Sequence, residues 1–301
     1  MAAAATLTEI GDQVREAAER FGSAVVGVGR GWRVGTGVVI APDRVLTAAR
    51  HAGDGAATVA FGEGREQGTV AGSDRDLGIA VLDVETGGVE PLEWVDRDFE
   101  ATMGAPVIAL GNPGGRGLRA TLGFVSAVER TFRGPRGRRI AGAIEHTAAL
   151  PRGSAGGPLL DLDGRLAGIN LLRSEGGLIL ALGASGGLRE AAERLAAGEE
   201  VERPMLGIAV APPGAARKLR RAVGLPEREG VLVRAVQEDG PADRAGVTRG
   251  DLVIAAGSHE VDGIDSLHRA IGQAAGGRLA LKIVRGVEER ELEVELVEAR
   301  R

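Results

Sequence analysis

Between residues 23 and 184 glycine cuts the chain into short β-rich runs: SAVVGVG, GTGVVI, RVLTAA, ATVAF, GTVAGS, LGIAVLDV, APVIALG, ATLGFVSAV, LAGINLL and GGLILALG. Many short strands at that spacing predict an all-β barrel or sandwich. The 301-residue chain holds 49 glycines, which supply its tight turns. Aromatic residues make up only 2%, with no tyrosine, so the cores must be built from Ala, Val, Leu and Ile.

The flanks read differently. Residues 1–22 predict an amphipathic helix from about Thr8, with an acidic residue early and no basic stretch before it. SGGLREAAERLAAGEE predicts a helix closed by glycine, with Leu188, Ala191, Ala192 and Leu195 on one face. Together with the charged EEVERP it makes a helix-and-linker segment over 185–204. Residues 205–298 then mix five strand-like runs with two helical pieces, PGAARKLRRAVG and DSLHRAIGQAA, as a compact α+β domain would.

Several function classes drop out. The chain has no cysteine, which excludes disulfides and thiolate sites, and its four histidines (His51, His146, His259, His268) have no metal-site spacing. No cofactor is expected. A formal net charge of −5 argues against a dedicated nucleic-acid partner. RTFRGPRGRRI, at 130–140, predicts a solvated loop rather than an anion-binding patch. GNPGGRG, at 111–117, lacks the lysine of a phosphate loop and reads as a barrel turn. No apolar run approaches a membrane span of about 20 residues, so the expected location is cytoplasmic.

Four separated stretches carry a resemblance. GTGVVIAPDRVLTAARHA is similar to a G-x-G-x-V-I…V-L-T-x-x-H segment, and SDRDLGIAVLDV to a D-L-A-V-L aspartate strand. ALGNPGG is similar to A-I-G-N-P-x-G, and RGSAGGPLLDLDGRLAGIN to G-N-S-G-G-P…G-x-V-I-G-I-N. In order and interval they resemble the HtrA/Deg-type serine proteases. That implies a mainly β fold, a chymotrypsin-like double β-barrel over 23–184. In the second domain, RPMLGIAVAPP and DGPADRAGVTRGDLVIAAGSHEV resemble the PDZ domain of the same family. The family often forms homo-oligomers, and no trimer-forming signature is readable here.

The chemistry of such proteases needs a serine nucleophile, a histidine that takes its proton and a carboxylate that fixes the imidazole. By resemblance the base position is Arg50, which cannot act as a general base because guanidinium does not give up its proton. Asp76 matches the orienting carboxylate, with Asp74 as a rival, and Ala155 stands at the nucleophile position. His51 and Ser154, each one residue away, are the candidates for rescue, although a one-residue slip turns a side chain away. The amides of Gly153 and Ala155 are expected to line an oxyanion-hole-like concavity. The segments Ile169–Leu171 and Gly177–Leu180 are expected to wall the cleft. Arg50 is expected to pair with Asp76.

The resemblance to PDZ implies a ligand tail added as a strand beside Ile208, with its carboxylate held by the loop amides. Leu206, Gly207 and Ile208 are the loop candidates, and Leu267 and Ile271 the groove walls. The sequence thus reads as an inactive protease homologue that binds peptides or unfolded protein tails. The alternative is an endopeptidase that hydrolyses unfolded proteins.

Overall fold

The computed structural model describes residues 7–296 except 31, 32, 54, 63, 98, 136, 200–203, 212, 275 and 276. The chain divides into two compact units, Met1–Val201 and Glu202–Arg301.

In the first unit, β1 (Val25–Arg30), β2 (Arg33–Ala41), β3 (Arg44–Ala48), β4 (Ala56–Phe61), β5 (Gly64–Asp74) and β6 (Ile79–Asp83) close into a barrel in the order β1-β2-β3-β6-β5-β4. A second barrel runs β10-β11-β12-β9-β8-β7, from β7 (Pro106–Gly111), β8 (Arg119–Arg133), β9 (Arg139–His146), β10 (Pro158–Leu160), β11 (Leu166–Arg173) and β12 (Ile179–Gly183). Closure leaves no open sheet edge in either barrel. The interiors are aliphatic: Leu46, Ile79, Leu82, Leu110, Leu160 and Ile169 are all at most 1% exposed. The turn Pro113–Gly115 lies so close under β1 that a Cβ on Gly27 would sit 1.9 Å from the Gly115 nitrogen.

Among the described residues the α-helices of this unit are α1 (Leu7–Phe21), α2 (Ala49–Ala52) and α3 (Leu188–Ala196). The Phe21 ring at the end of α1 covers Gly164. The apolar face of α3, Leu188, Ala191, Ala192 and Leu195, is buried in the first unit's core, as its spacing predicts. Its backbone approaches β5 so closely that a Cβ on Gly72 would lie 2.7 Å from the Leu195 carbonyl oxygen. The helix of segment 185–204 is therefore part of the first unit, and the linker's residues 200–203 lie outside the described ones. The arginine-rich segment 130–140 is mostly strand, the end of β8 and the start of β9. Arg130 pairs with Glu145 and Arg138 with Asp76, each at 3.6 Å.

The second unit is a sheet in the order β13-β14-β15-β17-β18, with β16 paired to β15. The strands are β13 (Ile208–Ala211), β14 (Val231–Val236), β15 (Leu252–Ala256), β16 (His259–Glu260), β17 (Arg278–Arg285) and β18 (Glu288–Glu295). Helices α4 (Pro213–Ala222), α5 (Pro241–Arg244) and α6 (Ile264–Gly272) complete it. Asp251, 1% exposed, accepts two hydrogen bonds from Arg285 at 2.8 Å and one from the Thr248 N–H at 2.8 Å. Burial alone would raise its pKa, but these donors hold the carboxyl below its ordinary value.

Candidate functional site

The loop 150–157 is held by side chains from both barrels. The Thr36 N–H donates to the Ala155 carbonyl at 3.1 Å, and the Thr36 hydroxyl to the Gly153 carbonyl at 3.0 Å. Thr47 donates to the Thr36 carbonyl at 2.7 Å, and the Asn112 N–H to the Thr36 hydroxyl at 3.0 Å. On the far side the Gly156 N–H donates to the Asn170 carbonyl at 2.7 Å. The Asn170 amide nitrogen donates to the carbonyls of Gly157 and Pro158, at 3.1 and 3.0 Å. Its oxygen is then left to accept from His146 Nε2 at 2.8 Å, which fixes that ring's tautomer. Burial lowers the His146 pKa, partly offset by this bond. His146 is thus a brace for the loop. Thr36 and Asn170 stand inside the quoted motifs, but only the fold reveals their partners.

Beneath this loop opens a cavity of about 330 Å³. Gly153 and Ala155 line it, and among the described residues neither N–H donates to a backbone carbonyl. Asn170, Leu171 and Ile179 line it too, so parts of both expected wall segments are in place. Ala155 offers a methyl group where a nucleophile would be needed.

Arg50 also lines the cavity, and its guanidinium donates to the Leu171 carbonyl at 3.1 Å. The expected pairing with Asp76 is therefore corrected. Asp76 lies beside Arg138 instead, and its N–H donates to the Asp74 carboxylate at 2.9 Å. Asp74, fully buried, also accepts from the Leu77 N–H at 2.9 Å, so it caps its own turn. The register explains why neither carboxylate meets Arg50. In D-L-A-V-L the aspartate directly precedes the strand, and the residue directly before Ile79-Ala80-Val81-Leu82 is Gly78. The Gly78 carbonyl accepts from the Ala49 N–H of α2 at 2.8 Å. Gly78, with no side chain, stands beside the helix that carries Arg50.

The rescue pair fails on geometry as well. His51 is 8% exposed, and its ring lies over Gly35, where a Cβ would approach it to 2.3 Å. Ser154 is 3% exposed, with its hydroxyl against Gly111. Among the described residues His51 Nδ1 and Nε2 and Ser154 Oγ have no hydrogen-bond partners, so the two side chains form no hydrogen bond with each other.

Burial, with Arg50 and Arg33 nearby, pushes the His51 pKa from 6.5 down to about 4. The folded state holds this ring neutral, so its contribution is complete above pH 6.5 and lost as pH falls toward 4. Each pH unit in that window costs about 1.4 kcal/mol, or about 3 kcal/mol in all. Urea unfolding between pH 7 and 4 should show this slope, and His51→Val should flatten it. Equal slopes in the two proteins would exclude His51 as the cause.

In the second unit Leu206 is buried, and its carbonyl accepts from the Ala242 N–H at 2.9 Å. Gly207 has φ +74° and Ile208 opens β13. Among the described residues β13 is an edge strand that pairs with β14 alone, and an edge of this kind can accept another strand. Leu267 and Ile271, expected as groove walls, are 3% and 8% exposed and belong to the unit's core. The 3.6-residue period turns both inward with Ala270, so they are core side chains in this structure.

Comparison with known proteins agrees with this geometry. Residues 35–169 match the trypsin-like peptidase domain and residues 204–296 the PDZ domain. Over 270 residues the chain is 32% identical to a probable periplasmic serine endoprotease DegP-like of Halomonas elongata, covering 87% of this chain and 56% of that protein. It is 28% identical over 241 residues to the serine protease Do-like HtrA of Bacillus subtilis, covering 75% and 54%. The chain thus spans about half the length of the curated relatives it matches. Among solved structures, the HtrA-type protease AlgW with decapeptide has a TM-score of 0.61 at 23% identity, covering 94% of this chain and 98% of that one. The serine endoprotease from Yersinia pestis has a TM-score of 0.60 at 24% identity, covering 95% and 98%. These two likenesses show the fold. The expected cytoplasmic location is corrected, because the DegP-like relatives are named as periplasmic. An amphipathic first helix suits either compartment.

Proposed function

This chain belongs to the HtrA family of trypsin-like serine proteases, with a peptidase domain followed by a PDZ domain, and from that premise we propose that it is a member without peptidase activity. Its role on this reading is to bind the C-terminal tails of peptides or unfolded proteins, on the periplasmic side as its relatives' names suggest. The observation that carries the reading is the content of the cleft: a guanidinium at the base position and a methyl group at the nucleophile position. Neither takes a proton from, or supplies, an attacking oxygen. The free edge of β13 and the positive-φ Gly207 support tail binding, since a ligand strand pairs with such an edge while loop amides hold its carboxylate.

The test is fluorescence anisotropy with a fluorescein-labelled ten-residue peptide ending in valine with a free carboxylate. Saturable binding is expected, with intact peptide recovered after prolonged incubation. Gly207→Val should weaken binding about tenfold, because a β-branched residue resists φ near +74° and the loop must move. Cleaved peptide, or binding unmoved by Gly207→Val when Arg50 and Arg152 are also changed to Gln, would overturn the proposal.

A further inference from the structure

Three arginines, Arg50, Arg152 and Arg173, line the cavity of the first unit, and no acidic residue lines it with them. Arg50 and Arg173 each donate to a backbone carbonyl, of Leu171 and Leu150. Among the described residues none of the three has a carboxylate partner. Several arginines elsewhere are tied to acids, Arg97 to Glu190 and Glu193, Arg165 to Asp96, Asp161 and Asp163, Arg285 to Asp251. Three guanidinium-bearing residues share one cavity whose lining carries no acid, so an anion from outside would complement them.

The rest of the lining says which anion. The N–H groups of Gly153 and Ala155 add two neutral donors suited to oxygen. Leu150, Leu171 and Ile179 add an aliphatic wall, which an inorganic anion would leave without a partner. We propose that this cavity is a receptor for a peptide's C-terminal carboxylate, with the guanidiniums and the two amides on the carboxylate and the last, aliphatic side chain against the leucine and isoleucine wall. Arg50, useless as a base, is then a binding residue, and Ala155 leaves room where a side chain would meet the carboxylate. The inference rests on the proposal that the cleft carries no nucleophile.

N-acetyl-Ala-Leu is too short to add a strand to β13, so it separates this site from the second unit. Calorimetric titration of the full chain with this acid, with its amide and with inorganic phosphate provides the test. The acid should bind about tenfold or more tightly than the amide, because charge-assisted bonds are lost with the carboxylate. Arg50→Gln/Arg152→Gln, at two exposed positions, should weaken the acid by a similar factor without shifting the melting temperature. Equal binding of acid and amide, or an unchanged double variant, would overturn the proposal. Phosphate binding as tight as the acid's would overturn the peptide assignment in favour of a general anion site. Hydrolysis of the amide would overturn both this inference and the reading of an inactive cleft, whereas failure of acid binding alone leaves the latter standing.

Discussion

Arg50→His/Ala155→Ser is expected to bring back covalent attack on a fluorophosphonate probe, yet to leave peptide hydrolysis about 10⁴-fold below that of a complete triad. The unmodified chain should not react, since loss of nucleophile or base from a triad costs about 10⁶ in turnover. Ala155→Ser alone supplies a hydroxyl beside a guanidinium that cannot accept its proton, so it too should stay silent. The double variant regains both partners, but the third role is still missing. Gly78, beside α2, has no side chain, Asp76 is engaged with Arg138, and Asp74 is buried accepting two backbone N–H groups. An imidazole without its carboxylate is not held in the productive tautomer, and that is the origin of the expected 10⁴ deficit. Intact-mass measurement of probe labelling, with peptide mapping, gives the result. Labelling of the unmodified chain at Ser154 would overturn the reading of an inactive member. Full hydrolytic rates in the double variant would mean that Asp76 leaves Arg138 to orient the new imidazole.

How far the sequence reveals this molecule depends on whether a feature is local. Glycine-punctuated strands and the α3 face are local patterns, and they lie where the pattern puts them. The substitutions at Arg50 and Ala155 are equally visible, because each occupies a fixed place in a short motif. Asp76 does not meet Arg50 because SDRDLGIAVLDV holds two residues, Leu77 and Gly78, between that aspartate and the strand, where its motif holds none. Only the β6 register, with Ala80 opposite Thr47 and Ile79 opposite Ala48, shows which residue meets α2. Leu267 and Ile271 fit a groove and a core equally well by spacing, and packing decides for the core. Arg173 lies outside the motif stretches, and Arg152 only precedes the glycine at which its motif begins. Their meaning comes from sharing a cavity with Arg50, which lies more than 100 residues away in the chain.

Gly156→Ala should destabilise the first unit by about 3–5 kcal/mol, among the largest effects available to a single methyl group. Gly156 has φ +90°, and a Cβ there would lie 2.1 Å from the Thr36 carbonyl oxygen and 2.8 Å from both the Ala48 nitrogen and Thr47 Oγ1. Two of those atoms are backbone from strands of the first barrel, which cannot swing aside as a flexible side chain would. Relief requires the loop to move off Thr36, breaking its bonds to Ala155 and Gly153 and disturbing the Asn170 brace behind it. At roughly 2–4 °C per kcal/mol for a unit of this size, the melting temperature should fall on the order of 10 °C. Gly176→Ala is the matched control: its φ is +72°, but nothing lies within 4 Å of the added carbon. It should cost only the left-handed backbone penalty, about 1–2 kcal/mol. Equal shifts in the two variants would show that backbone conformation, not the closeness of the barrels, sets the requirement at Gly156. A large difference would identify the contact between Gly156 and Thr36 as what holds the cavity in shape. Because Gly153 and Ala155 hang from that contact, N-acetyl-Ala-Leu binding should then be lost along with the stability.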